Sequence, residues 1–447
     1  MNQDRIKILA ETPVRKAILV MSLPVVMGMM VQVFYNLADT FFIGRLGDTN
    51  QLAAANISLP VFIFSMAMAG IIGTGAASYI SRALGEKNNK EADKTLTIGM
   101  IYLIIISIVA TAFTLLFLDK LVSILGASKE TFPFAHAYVL VLVWGILPIM
   151  SNFALGQLLR AEGDAMGSMF GMLIGTVTNI LLDPLFIFIF SLGVGGAALA
   201  TVLANIASLL FYILRYRRGK TLLHFSLKEF SFDKKISKEI FTIGIPASLG
   251  QGLMSVALIV MNNIAASYGD SVVAGLGVAS RIITIGTFIF MGIGAGSQPL
   301  VGYNYGARNF SRVKSIILNG IGLTTAIGLV LGILMWIFAY PFISTFTSVD
   351  KVISYGITVL RALVLSLPIM GGQMLCTISV QAMGKVLPSL FLSISRQGLL
   401  FIPLLLLLNL LFGFNGFIYA QPITDAIMLI LSFSILQRIL KKEEINH

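Results

Sequence analysis

Apolar runs of twenty or so residues recur from one end of the chain to the other, each closed by a short polar stretch. About twenty helical residues cross the roughly 30 Å hydrocarbon core of a bilayer. Twelve spans are read at roughly 15–44, 52–81, 94–118, 132–159, 165–190, 194–216, 238–267, 272–304, 312–340, 353–380, 387–411 and 415–438. Only helices and closed barrels satisfy their backbone inside lipid, and the short alternating segments of a barrel are absent from this sequence. The pattern predicts an all-α polytopic membrane protein with twelve transmembrane helices.

The spans repeat at about 220 residues. SLP at 22–24 matches GIP at 244–246, GEKN at 85–88 matches GARN at 306–309, and LPIM occurs at both 147–150 and 367–370. Gly73 and Gly75 match Gly294 and Gly296, and GVGGAALA at 193–200 resembles GFNGFIYA at 413–420. An even number of spans separates equivalent positions, so the halves share one orientation, related by a pseudo-two-fold axis along the membrane normal. The expected organisation is a six-helix lobe at 1–216, a linker loop at 217–237 and a second six-helix lobe at 238–447. Alternating access by rocking one lobe against the other suits that plan.

Charge decides the orientation. The 447 residues are 57% hydrophobic and 11% charged, against about 25% charged in soluble domains. The net charge of +11 would point to nucleic acid in a soluble chain. Here 24 of the 31 Lys and Arg fall on the side of the termini and 5 on the other, with Arg281 and Arg396 inside spans. That asymmetry predicts cytoplasmic N- and C-termini in a prokaryotic plasma membrane and no nucleic-acid partner. The basic stretch 215–238 reads as a topogenic loop touching anionic lipid. The charged first residues lack a cleavage site, so no cleaved leader is expected. Cys376 is the only cysteine, and His136, His224 and His447 are scattered. No metal cluster, cofactor or enzymatic acid–base set is expected, and a monomer is.

The polar residues inside spans carry the candidate chemistry. A carboxylate within a span costs roughly 2.5–3.5 kcal/mol on insertion scales, so each requires a reason. Asn179 and Asp183 stand four apart on one face of span five, followed by Pro184. Gln32, Tyr35 and Asp39 share a face of span one, below Pro24, which favours a bend. Span six adds Thr201 and Asn205, and span four adds Asn152. Two carboxylates among amide, hydroxyl and carbonyl oxygens suit either Na⁺ binding at Asp39, Asn179, Asp183 and Thr201 or the sharing and release of a proton. In the twin half Met261 aligns with Asp39, and Ile402 or a close neighbour with Asp183. Packing therefore does not demand these acids. Asp425 aligns with Asn205 and is expected to pair with Arg396. The flexible methionines near the span-one bend and in the second half suit an adaptable apolar cavity. Its candidate lining is Met27, Gln32, Asn152, Met254, Met261 and Phe288. The runs GIIGTGAAS and GIGAGS lack the Lys-Ser/Thr ending of a phosphate loop and read as close helix packing.

SLP, ADTFFIGRLG, SRALGEKN, and NILLDPLFIF with GVGGAALAT together resemble the multidrug and toxic compound extrusion (MATE) family. The resemblance spans essentially the whole chain and is nearest the DinF-type branch and its MepA-like drug exporters. It implies that Asp39 is the coupling-ion carboxylate and that Asn179, Asp183 and Thr201 complete its site, with Tyr35 and Asn205 nearby. It also implies that span one bends at Pro24. NorM-type members carry further acids in spans seven, eight or ten. Spans seven and ten here have none, which puts coupling in the first lobe.

The expected function is export of amphipathic, often cationic drugs or dyes by antiport against H⁺ or Na⁺. A lipid-linked oligosaccharide flippase of the same superfamily would call for basic residues in the cavity to match an anionic substrate. An integral membrane enzyme would need a converging catalytic set, and a passive channel would carry a steady unitary current.

Overall fold

The GEKN and GARN turns fold alike. In each, the third residue takes a left-handed conformation, with Lys87 at φ 59° and Arg308 at φ 57°. The asparagine after it caps the next helix: Asn88 accepts from the Glu91 N–H and Asn309 from the Arg312 N–H. The internal repeat thus holds at the level of single torsions. The computed structural model describes the backbone of residues 2–46, 48–226 and 232–446, and their side chains except at 2–3, 35–41, 44, 49 and 446. Tyr35 and Asp39 lie outside the described side chains.

The helices are α1 (Asn2–Ala10), α2 (Val14–Gly44), α3 (Thr49–Gly85), α4 (Asn89–Leu116), α5 (Leu118–Ile124), α6 (Phe132–Trp144), α7 (Ile146–Ala161), α8 (Ala165–Pro184), α9 (Gly193–Arg217), α10 (Lys234–Ser267), α11 (Asp270–Gly306), α12 (Phe310–Ile337), α13 (Ala339–Ser344), α14 (Asp350–Leu363), α15 (Leu367–Ala382), α16 (Val386–Ile394) and α17 (Ile402–Asn446). Ten helical stretches are long and apolar enough to cross a membrane, and α6 with α7 makes one more span, bent by 54°. The stretch Val386–Ile445 has 60 residues, roughly 90 Å of helix and far more than one bilayer core. Gly413 interrupts it at φ 57° and ψ −137°. Divided there, the described residues hold the twelve spans expected. Large apolar side chains such as Leu116, Ile124 and Leu410 stay exposed, as a lipid-facing exterior requires.

Two compact units emerge: residues 1–7 with 27–245, and residues 8–26 with 246–447. Of the three changes of unit, the one between Lys7 and Ile8 lies inside α1 and the other two fall beside a proline. Helix α2 passes from the second unit to the first after Val26, two residues beyond Pro24, and α10 passes from the first to the second at Pro246. Each half of the repeat therefore lends the start of its first helix to the other unit. The glycines of the repeat make this possible. A Cβ on Gly75 would overlap the Ile240 carbonyl, and one on Gly244 would overlap the Ile71 carbonyl, so α3 and α10 meet backbone to backbone. In the second unit Gly292 and Gly296 receive Val26 and Ser22 of α2 in the same way, and the Ser22 hydroxyl donates to the Ile293 carbonyl at 3.3 Å. Gly244→Ala is expected to destabilise the fold by about 1–3 kcal/mol through overpacking. A thermal melt of the purified protein checks this, with Gly252→Ala, where a Cβ meets open space, as the control.

Candidate functional site

Three helices of the first unit, α7, α8 and α9, bring polar side chains together. Helix α8 supplies Asn179 and Asp183, one turn apart and both buried. Pro184 has no N–H to continue the α-helical ladder, and the chain passes into a π-helical turn over Leu185–Ile189. Such turns recur at functional sites. Helix α9 supplies Thr201 and Asn205, and α7 supplies Asn152.

The hydrogen bonds join them. Asn179 is best satisfied with its amide nitrogen donating to Asp183 Oδ2 at 2.9 Å and its oxygen accepting from the Thr201 N–H at 3.2 Å. The Thr201 hydroxyl lies 3.4 Å from the same amide. Asn205 Nδ2 donates to the Thr201 carbonyl at 2.8 Å, and Asn152 Nδ2 donates to Asn205 Oδ1 at 2.8 Å. The cluster thus presents a fully buried carboxylate with neutral amide and hydroxyl oxygens, a donor set suited to a hard monovalent cation or to holding a proton. Asn152 belongs to this cluster.

The other candidate residues fall elsewhere. Pro24 lies inside α2, and Met27 and Gln32 sit further along that helix, Met27 exposed and Gln32 half-buried. In the second unit Met254 and Met261 line one cavity with Arg396 and Asp425. Phe288 is half-buried on α11, next to the lining residue Thr287. Arg281 is exposed on α11, and Arg361 lies over the Trp336 ring at 5.6 Å.

Residues 24–185 and 246–407 each match the MatE family model. The chain belongs to the MatE family. The two matches fall one to each half of the internal repeat. The chain is 33% identical over 427 residues to the multidrug export protein MepA of Staphylococcus aureus (strain N315), covering 96% of this chain and 94% of that one. It is also similar to a MATE solved in a straight conformation (TM-score 0.94, 29% identity, 98% of each chain). A MATE solved in a bent conformation matches with TM-score 0.92 and 29% identity, over 99% of this chain and 98% of that one.

This MatE-family chain also carries a buried ionic cluster that spacing alone does not disclose. Asp164 caps α8 through the Gly167 N–H, receives Arg215 through two nitrogens, and pairs with Arg5 at 3.0 Å. Next to it Glu162 accepts the Leu222 and Leu223 N–H groups, each at 2.9 Å, and lies 3.6 Å from Arg5. The cluster ties α1, the α7–α8 turn, α9 and the start of the linker into one block. The sequence signal was present in LRAEGDA, with two acids at a turn between spans.

Burial pushes the Glu162 carboxyl up from its ordinary 4.5 to about 8, opposed by the Leu223 N–H and by Arg5. Between those values the folded protein holds a proton that the unfolded chain has lost. This contribution to stability is complete below about pH 4.5 and is lost as pH rises through about 8. Glu162→Gln keeps the neutral form at every pH. The melting temperature of the wild type is expected to fall more steeply over that window than that of Glu162→Gln, which thermal melts across the pH series measure.

Proposed function

We propose that this protein exports amphipathic, often cationic compounds across a prokaryotic plasma membrane by antiport against H⁺ or Na⁺. The observation that carries the reading is the buried Asp183, bridged through Asn179 to Thr201 and Asn205 in the first unit, where the twin half aligns Ile402 or a close neighbour. Similarity to a named multidrug export protein over nearly the whole chain supports the substrate class. Asp39 and Tyr35 join this coupling site from α2. Ion binding there shifts α2 about Pro24, beside the point where that helix leaves one compact unit for the other, and the existence of straight and bent solved relatives supports such a two-state element.

The six-helix lobes at 1–216 and 238–447 then rock about the loop 217–237 and expose the cavity residues Met27, Gln32, Asn152, Met254, Met261 and Phe288 to either side in turn. The protein works as a monomer in contact with lipid, with both termini cytoplasmic. It is a transporter rather than an enzyme, and the flippase alternative is not favoured.

Cells stripped of their own exporters and expressing the chain test this reading. Asp39→Asn is expected to lose dye and drug resistance at unchanged protein level in the membrane. Resistance equal to wild type in that variant removes the carboxylate from the mechanism.

A further inference from the structure

The second unit has an open-mouthed cavity of about 120 Å³ lined by α10, α11, the end of α14, α17 and the π-helical turn Ser395–Phe401. One wall is apolar and adaptable, with Met254, Met261 and Phe401. The other carries Thr284, Gln397 and Gln421 around a charged pair, Arg396 and Asp425.

Two Arg–Asp pairs in this molecule serve as each other's control. Asp164 is satisfied throughout: Arg215 grips it with two nitrogens, Arg5 pairs with it, and the Gly167 N–H donates to it. That is a structural ion pair. Asp425 is only 2% exposed, yet it receives a single long bond, from Arg396 Nε at 3.3 Å. Ser366 lies beside it, but neither the Ser366 hydroxyl oxygen nor Asp425 Oδ2 has a hydrogen-bond partner of sound geometry. A buried acceptor left in that condition costs about 1–3 kcal/mol. The arginine is held from a π-helical turn, a feature that recurs at functional sites. A loosely held cation facing an under-satisfied carboxylate is what a site needs if a second donor is to join or displace it.

We propose that this cavity binds amphipathic compounds through a hydrogen-bond-donating ammonium, whose N–H docks on Asp425 Oδ2 while Arg396 yields, with the apolar portion lying along Met254 and Met261. The proposal rests on the exporter reading and adds a selectivity to it. Primary, secondary and tertiary ammonium ions offer an N–H; quaternary ions offer none and leave the oxygen unsatisfied. A site built around a buried acceptor rejects the analogue that lacks the donor.

The test is equilibrium binding to the full-length protein in nanodiscs, which requires no transport and no ion gradient. The probes are dansyl-propylammonium and its N-trimethylated counterpart, followed by dansyl fluorescence. The wild type is expected to bind the ammonium form about tenfold tighter, the size of one charge-assisted hydrogen bond. Asp425→Asn is expected to bring the two affinities together. Arg396→Gln removes the competing cation and is expected to tighten both forms, the ammonium form by the larger factor. A merely structural pair would weaken both probes in both variants. Equal binding of the two forms by wild type, no binding of either, a preference that survives Asp425→Asn, or a loss for both forms in Arg396→Gln each overturns the proposal. Should Asp425→Asn fail to fold, the wild-type ratio and Arg396→Gln still decide. Gradient-driven efflux, measured separately, reports on the exporter reading whatever the binding result.

Discussion

Asp183→Asn is expected to abolish uphill efflux in reconstituted vesicles, lowering the gradient-driven rate by about 100-fold or more. A factor of that size corresponds to roughly 3 kcal/mol, the upper end of usual coupling energies between two sites. Asparagine nearly preserves the shape of the side chain and keeps a hydrogen-bonding partner for Asn179, so the helix pair α8–α9 is retained. What disappears is the group that takes up and gives back a charge. Downhill exchange of substrate should persist, because the two-state element survives while its link to the ion is cut. Asn179→Ala, which removes the bridge from Asp183 to Thr201, should cost less, about tenfold. Initial rates of dye efflux with and without an imposed gradient separate these cases. Full uphill transport by Asp183→Asn would reassign the cluster to tying α7, α8 and α9 together.

Asp164→Ala is expected to have the largest effect on stability. It strips partners from Arg215 and Arg5 at once and removes the cap of α8. Breaking a buried ion pair from one side costs about 3–5 kcal/mol, and loss of a cap about 1 kcal/mol. Asp164→Asn keeps an oxygen for the Gly167 N–H and should recover part of the loss. Fluorescence-detected gel filtration after heating measures both. Equal stability of Asp164→Ala and the wild type would mean that the arginines find other anions when Asp164 is gone.

The spans, the repeat and the shared face of Asn179 and Asp183 were legible because each rests on local order. A twenty-residue apolar run declares a span without reference to the rest of the fold. Asn179 and Asp183 declare a shared face through their spacing. The recurring GEKN and GARN announced the twin turns at Lys87 and Arg308. The placement of Asn152 against Asn205 was less legible, since it depends on how α7 meets α9, and sequence spacing carries no such information. The same limit hid the exchange of helix starts at Pro24 and Pro246. Gly75 and Gly296 read correctly as packing glycines, yet nothing local says that each meets a helix from the opposite half. The Arg396–Asp425 pair was foreseen from alignment of the halves, but its single long bond and the cavity beside it are tertiary facts. The side chains of Asp39 and Tyr35 lie outside the described residues, so their part in the site stands on span-one spacing and on the family resemblance.

The most direct measurement of the central claim is substrate efflux from proteoliposomes containing only this protein, with a proton gradient, a sodium gradient or neither imposed. The account predicts accumulation against the substrate gradient when one of the two ions is driven inward, and none when both gradients are absent. Equal transport under all three conditions would contradict it.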